Sequence, residues 1–132
     1  MKSRLFITGL AITLALGGRE AVSQDVVVVF AGHCSVKVEN PHVRVVECAV
    51  KPGEKVALHT NRAGWYYVTM SGKLKSTYAG GKEDIWEPPV GDSGWMEADP
   101  PHTSENVGDT AFGMILVEVK SATLTPGKPT KK

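Results

Sequence analysis

The sequence is poor in most features that mark a specialised class of protein. Two cysteines in 132 residues exclude a disulfide-dense miniprotein. Alone they also exclude a structural zinc site, which takes four ligands. No block of like charge occurs outside the extreme C-terminus, so the basic face of a nucleic-acid binder is missing. No apolar run reaches the ~20 residues that a membrane-crossing helix needs. After residue 24 no segment sustains a helical period, and no unit repeats at solenoid spacing. Catalytic signatures are equally scarce. Gly80-Gly81 is not followed by Gly-Lys-Ser/Thr, and Ser71, Ser93 and Ser104 sit in no G-x-S-x-G elbow, which argues against a phosphate loop and a serine hydrolase.

What remains is an ordinary globular balance, with 42% hydrophobic and 22% charged residues, sized for one domain. Lys2 and Arg4 precede an apolar stretch over residues 5–16, and Ala21-Val22-Ser23 then fits the small-x-small rule for cleavage before Gln24. Residues 1–23 therefore read as a secretory signal peptide, with a retained anchor as the alternative. Cleavage removes three cations and one anion, and the formal net charge passes from +1 to −1. The mature chain then has no polybasic reason to sit on a membrane. It is expected neither to bind nucleic acid nor to insert stably in a bilayer.

The expected strands cover residues 26–30, 34–38, 43–50, 55–59, 65–70, 73–78, 94–97 and 111–120. Asn40-Pro41, Pro52-Gly53, Ser71-Gly72, Pro88-Pro89 and Gly108-Asp109 are among the turn signals between them. Many short strands at close spacing indicate an all-β sandwich or barrel over 24–120. The polar tail 121–132, with Pro126 and Pro129, is expected to be disordered, with a basic docking tail as the alternative. A hairpin turning at Asn40-Pro41-His42 places Val38 opposite Arg44, Val36 opposite Val46 and Cys34 opposite Cys48. In an oxidising compartment that register allows a disulfide; two buried free thiols are the other reading.

Of the four histidines, His33 and His42 lie near strand ends and read as surface residues. His59 and His102 sit in a recognisable frame. Gly53, five residues, His59-Thr60-Asn61, three residues, Trp65, six residues and Gly72 form one segment. Gly91, five residues, Glu97-Ala98-Asp99, two residues, His102, three residues and Asn106 form the other. This spacing resembles the two motifs of the cupin superfamily over most of 43–120, and the short loop between Gly72 and Gly91 resembles that of compact bacterial members. The resemblance implies a cupin-type double-stranded β-helix, a jelly-roll barrel, and a periplasmic or secreted bacterial protein.

Metal-binding cupins ligate through the two histidines of His-x-His, a glutamate and the later histidine. Carried over by position, these are His59, Asn61, Trp65 and His102. An amide is a poor ligand for Zn²⁺, Fe²⁺ or Ni²⁺ beside imidazole, and an indole is none. The implied metal residues are thus His59, Asn61 and His102, for a divalent ion such as Fe, Mn, Ni or Zn. Glu97, Asp99 and Glu105 are the candidates for a compensating carboxylate. If Trp65 takes the glutamate position it faces the barrel interior. Strand alternation then turns Tyr67 and Thr69 inward too, as the wall of a ligand pocket or as plain barrel filling. Two functions follow. One is an exported cupin that binds a small molecule through Trp65, Tyr67 and Thr69. The other is a divergent metal-dependent enzyme of the dioxygenase or isomerase type. A homodimer through the apolar 26–30 edge strand is a further expectation.

Overall fold

Two long runs of β-branched and aliphatic residues organise the chain. Strand β3 (Val43–Val50) and strand β10 (Phe112–Val119) pair antiparallel over their whole length, from Val50 against Phe112 to Val43 against Val119. Their alternation buries Val46, Val50, Phe112 and Leu116 and turns Val45 and Val117 the other way. Around them lie β2 (Cys34–Glu39), β5 (Gly64–Met70) and β8 (Ser93–Met96), giving the sheet order β2-β3-β10-β5-β8. The second sheet combines β1 (Gln24–Asp25), β4 (Lys55–Thr60), β9 (His102–Asn106), β6 (Leu74–Tyr78) and β7 (Glu83–Trp86), in the order β1-β4-β9-β6-β7. This computed structural model describes residues 24–120. Residues 1–23, expected to be a signal peptide, and the tail 121–132 lie outside the described residues.

The two sheets enclose a core of Val26, Phe30, Cys34, Val46, Val50, Val56 and Phe112, flanked by Leu74, Trp86 and Met114. The all-β double-sheet architecture expected from the strand spacing is present. Three strands were not among those expected: β1, of only two residues, and β7 and β9, because Glu83–Trp86 and His102–Asn106 are short and rich in polar residues.

Residues 26–30 are not an edge strand. Val26–Val29 form a single helical turn, α1, in which Asp25 accepts a hydrogen bond from the Val27 amide at 3.0 Å and the Phe30 amide donates to the Val26 carbonyl at 2.9 Å. A strand would place Val26, Val28 and Phe30 on one face. The turn instead buries Val26 and Phe30, four apart, and leaves Val28 64% exposed. Burial of two large apolar side chains between the sheets outweighs the β preference of four valines. The segment therefore offers no apolar strand edge for a partner.

The hairpin β2–β3 turns where the sequence indicates. Asn40 Oδ1 accepts from the amides of His42 and Val43, at 2.8 and 2.9 Å. Its inner register is Cys34 opposite Cys48 and Val36 opposite Val46, as expected, and the two cysteines form a disulfide. The outer register differs. Val38 lies opposite Val45, and Glu39 rather than Val38 opposes Arg44. The Asn40 amide donates to the Val43 carbonyl, so the connection is one residue shorter, and a bulge at Lys37 restores the phase.

A buried ion cluster ties the first strand to the barrel. Glu118, 1% exposed, accepts from Arg44 Nε at 2.6 Å, and Arg44 Nη2 donates to Asp25 at 2.6 Å. The hydrogen bond to Glu118 is the main cause that raises the Arg44 pKa above its already high value, so the guanidinium stays charged inside.

Candidate functional site

Strands β4 and β9 run side by side, and a register shift after Val56 brings His59 directly opposite His102. Both are 3% exposed, with ring centroids 4.4 Å apart and planes at 54°. Each is held in the same way: Nδ1 of His59 lies 2.8 Å from the Ala57 carbonyl, and Nδ1 of His102 lies 2.8 Å from the Pro100 carbonyl. A carbonyl oxygen only accepts, so each Nδ1 carries a proton; in a neutral ring Nε2 is then the lone-pair acceptor. Burial lowers the His59 pKa, and the neighbouring His102 lowers it further; the bond to Ala57 and the charges of Asp99 and Asp25 oppose this without reversing it. His59 is therefore neutral at pH 7.

The pair lines a cavity of about 90 Å³ between the sheets. Its walls are apolar, formed by Val46, Val50, Val56, Phe112, Met114 and Leu116. Val26 and Phe30 from the N-terminal turn close it, and the Cys34–Cys48 disulfide forms part of the lining. Asn61 and Asp99 join the histidines in the polar lining. Such a space is large enough for several waters or a small organic molecule.

The three implied metal residues do share this cavity, yet they fall short of a metal site. Asn61 Nδ2 is aimed at Asp99 Oδ2, at 3.5 Å, and the main-chain carbonyl of Asn61 accepts from the Asp99 amide. Glu97 accepts from the Trp95 indole on the exposed surface at 2.9 Å, and Glu105 pairs with Lys55 at 3.7 Å. Of the three candidate carboxylates only Asp99 reaches the cavity. No group of three or more His, Cys, Asp or Glu side chains is placed to hold a metal ion among the described residues. The donor set is two imidazoles, where a tight site needs at least three protein ligands.

Trp65, Tyr67 and Thr69 do not line the cavity, and the expected inward orientation is reversed. Trp65 is 43% and Tyr67 37% exposed, whereas Val68 is fully buried. Pairing with β10 decides this: Tyr66 lies opposite Leu116 and Val68 opposite Met114, and both partners line the cavity. Directly opposed residues share a face, so Tyr66 and Val68 point in and Trp65 and Tyr67 point out. Trp65 therefore does not fill the position of a metal.

Sequence reasoning also missed Tyr78, whose ring lies 5.2 Å from that of His102 and whose pKa is raised, chiefly by burial. Its signal was the pairing of β6 with β9, which sets Tyr78 opposite His102. It was invisible without β9.

The remaining motif positions are architectural. Gly53 has φ +77°, in a turn that L side chains rarely adopt. A Cβ on Gly72 would lie 2.6 Å from the Phe112 amide nitrogen. Asn106, 0% exposed, donates from Nδ2 to the carbonyls of Val50 and Thr110, both at 2.8 Å, and accepts from the Gly108 amide at 3.0 Å.

No family profile matches the chain, and no curated protein matches it in sequence. Solved structures do match its fold. A cupin domain from Bordetella pertussis is 24% identical with a TM-score of 0.55, over 67% of this chain and 92% of that one. An RmlC-like cupin family protein with a double-stranded β-helix fold from Methanocaldococcus jannaschii is 13% identical with a TM-score of 0.50, over 65% and 77%. A conserved protein with a double-stranded β-helix domain from Klebsiella pneumoniae is 24% identical with a TM-score of 0.50, over 70% and 82%. By its fold, the chain is a double-stranded β-helix like that of these cupin domains.

Proposed function

We propose that this cupin domain binds a small, mostly apolar molecule in its barrel, held by one or two hydrogen-bond donors directed at Nε2 of His59 and His102. The observation that carries this reading is the chemistry of the cavity. Its walls are apolar, and the neutral His59, with His102 beside it, offers the lone pair of Nε2. A ligand that brings a hydroxyl, an amine or an un-ionised acid on a short hydrocarbon body satisfies both ends. The apolar walls disfavour an anion. The Cys34–Cys48 disulfide supports a second element of the proposal, export to the periplasm or beyond after removal of residues 1–23, since disulfides persist in oxidising compartments.

One observation favours a second reading, a labile divalent-metal site. Carbonyl-anchored Nδ1 atoms are how metal-ligating histidines are commonly oriented. The metal content of the protein purified without chelator separates the two, beside a His59→Ala/His102→Ala control. Metal far below one equivalent, with thermal stability unchanged by chelator, is the expected result. NMR signals of both imidazoles should then shift on titration with small alcohols and amines. Near-stoichiometric Fe, Mn, Ni or Zn that disappears in the control would overturn the organic-ligand reading.

A further inference from the structure

The inward face of β9 carries three buried polar side chains in alternation: His102, Ser104 and Asn106. They differ in how well they are satisfied. Asn106 uses its amide on three backbone groups. His102 is held at Nδ1 alone. Ser104 is 7% exposed, lines the cavity, and its hydroxyl makes no hydrogen bond among the described residues. Pairing places it on a polar wall. One rung of the sheet is His59–His102–Tyr78 and the next is Val56–Ser104–Ser76. Opposed residues share a face, so both rungs look into the barrel. Ser76 also lines the cavity but interacts with Tyr78, which leaves Ser104 as the hydroxyl without a partner. Across the cavity, β3 and β10 contribute Val46, Val50, Phe112 and Leu116, none of which can take its proton. A buried hydroxyl left unmatched is costly, so the partner of Ser104 comes from whatever occupies the cavity.

We propose that Ser104 is the second anchor of the cavity and that the ligand is a short bifunctional alcohol. One hydroxyl donates to Nε2 of His59 or His102, and a second oxygen, hydroxyl or carbonyl, accepts from the Ser104 hydroxyl. This rests on the small-molecule reading above and narrows its ligand class. The spacing follows from the strand. Two residues along β9 separate the histidine rung from the serine rung by about 6.6 Å. Two oxygens at the ends of a three- or four-carbon body span a comparable distance. The hydrocarbon between them then lies against the valines, Phe112 and Leu116. Water satisfies Ser104 when the site is free. A ligand that displaces this water without replacing its hydrogen bond loses affinity, so a plain alcohol of the same length is the poorer ligand. The histidines hold one end of the ligand, and Ser104 selects for what the other end carries.

Titration of the protein expressed from the full chain with 1,4-butanediol and with 1-butanol, followed by NMR of the His59 and His102 imidazoles, tests this. The wild type should bind the diol about fivefold more tightly, the effect of one added hydrogen bond. Ser104→Ala should lose that preference while still binding 1-butanol. Equal affinities in the wild type overturn the role of Ser104 and leave the small-molecule reading standing. Silence of both imidazoles with both alcohols sinks the two together. A diol preference that survives in Ser104→Ala assigns the second anchor elsewhere and refutes the proposal. Urea unfolding of the free variant gives an independent check. Removing a hydroxyl that has no protein partner should leave the midpoint unchanged or raise it. A lowered midpoint would mean that the hydroxyl already serves the fold, and would count against a place in ligand recognition.

Discussion

Replacing Asn106 by alanine should unfold the barrel from its least exposed polar group. The amide makes three hydrogen bonds, to the Val50 and Thr110 carbonyls and from the Gly108 amide. It thereby joins the end of β9 to the end of β3 and to the loop that leads into β10. The residue is 0% exposed, so water cannot take over the partners without opening the sheets. Each lost bond to a neutral group costs about 1 kcal/mol net, and stranded buried partners cost more, so the total is about 3 kcal/mol. For a domain of this size that lowers Tm by about 12–24 °C. Urea unfolding followed by tryptophan fluorescence measures it directly, provided that the m-value is unchanged. Asn61→Ala is the matched control. Its only side-chain hydrogen bond among the described residues is the 3.5 Å contact to Asp99, and its loss should stay below about 0.5 kcal/mol. An Asn106→Ala loss under about 1 kcal/mol, or equal losses at the two sites, would refute the view that Asn106 staples the barrel.

Two further predictions concern the cavity lining. The Cys34–Cys48 bridge spans a sequence separation of 14, and closing a loop of about 15 residues stabilises by up to about 3 kcal/mol; reductant, or the double change to alanine, should lower the urea midpoint accordingly, and a shift worth less than about 1 kcal/mol would contradict it. His59 has its pKa lowered from 6.5, chiefly by burial. Below about pH 6.5 the unfolded chain therefore takes up a proton that the folded chain refuses, so stability should fall as pH drops through this window and be indifferent to His59 above it. His59→Gln should flatten that slope between about pH 5 and 6.5, and an unchanged slope would show that another group carries it.

Much of the barrel is legible in the chain alone. Strand β3 begins and ends where its valines do, because a segment with four β-branched valines in eight residues favours a strand over a helix. The turn at Asn40 follows from a side chain that binds the backbone ahead of it. The motif spacing brings His59 and His102 together because Gly53 and Gly72 mark places where the backbone leaves no room for a side chain or needs a conformation that other residues resist.

Tertiary structure alone decided the rest. Alternation in Gly64–Met70 shows which residues share a face but not which face is inside, and pairing with Leu116 and Met114 on β10 settled that against Trp65, Tyr67 and Thr69. The valines after Asp25 favour a strand locally, and only the space between the sheets made them one helical turn. Asp99 and Tyr78 reach the histidines through chain segments that pairing across β9 brings close. Local sequence sets spacing and periodicity, which are properties of neighbouring residues. The inside of a barrel is defined only when distant strands close around it, and that closure belongs to no single segment.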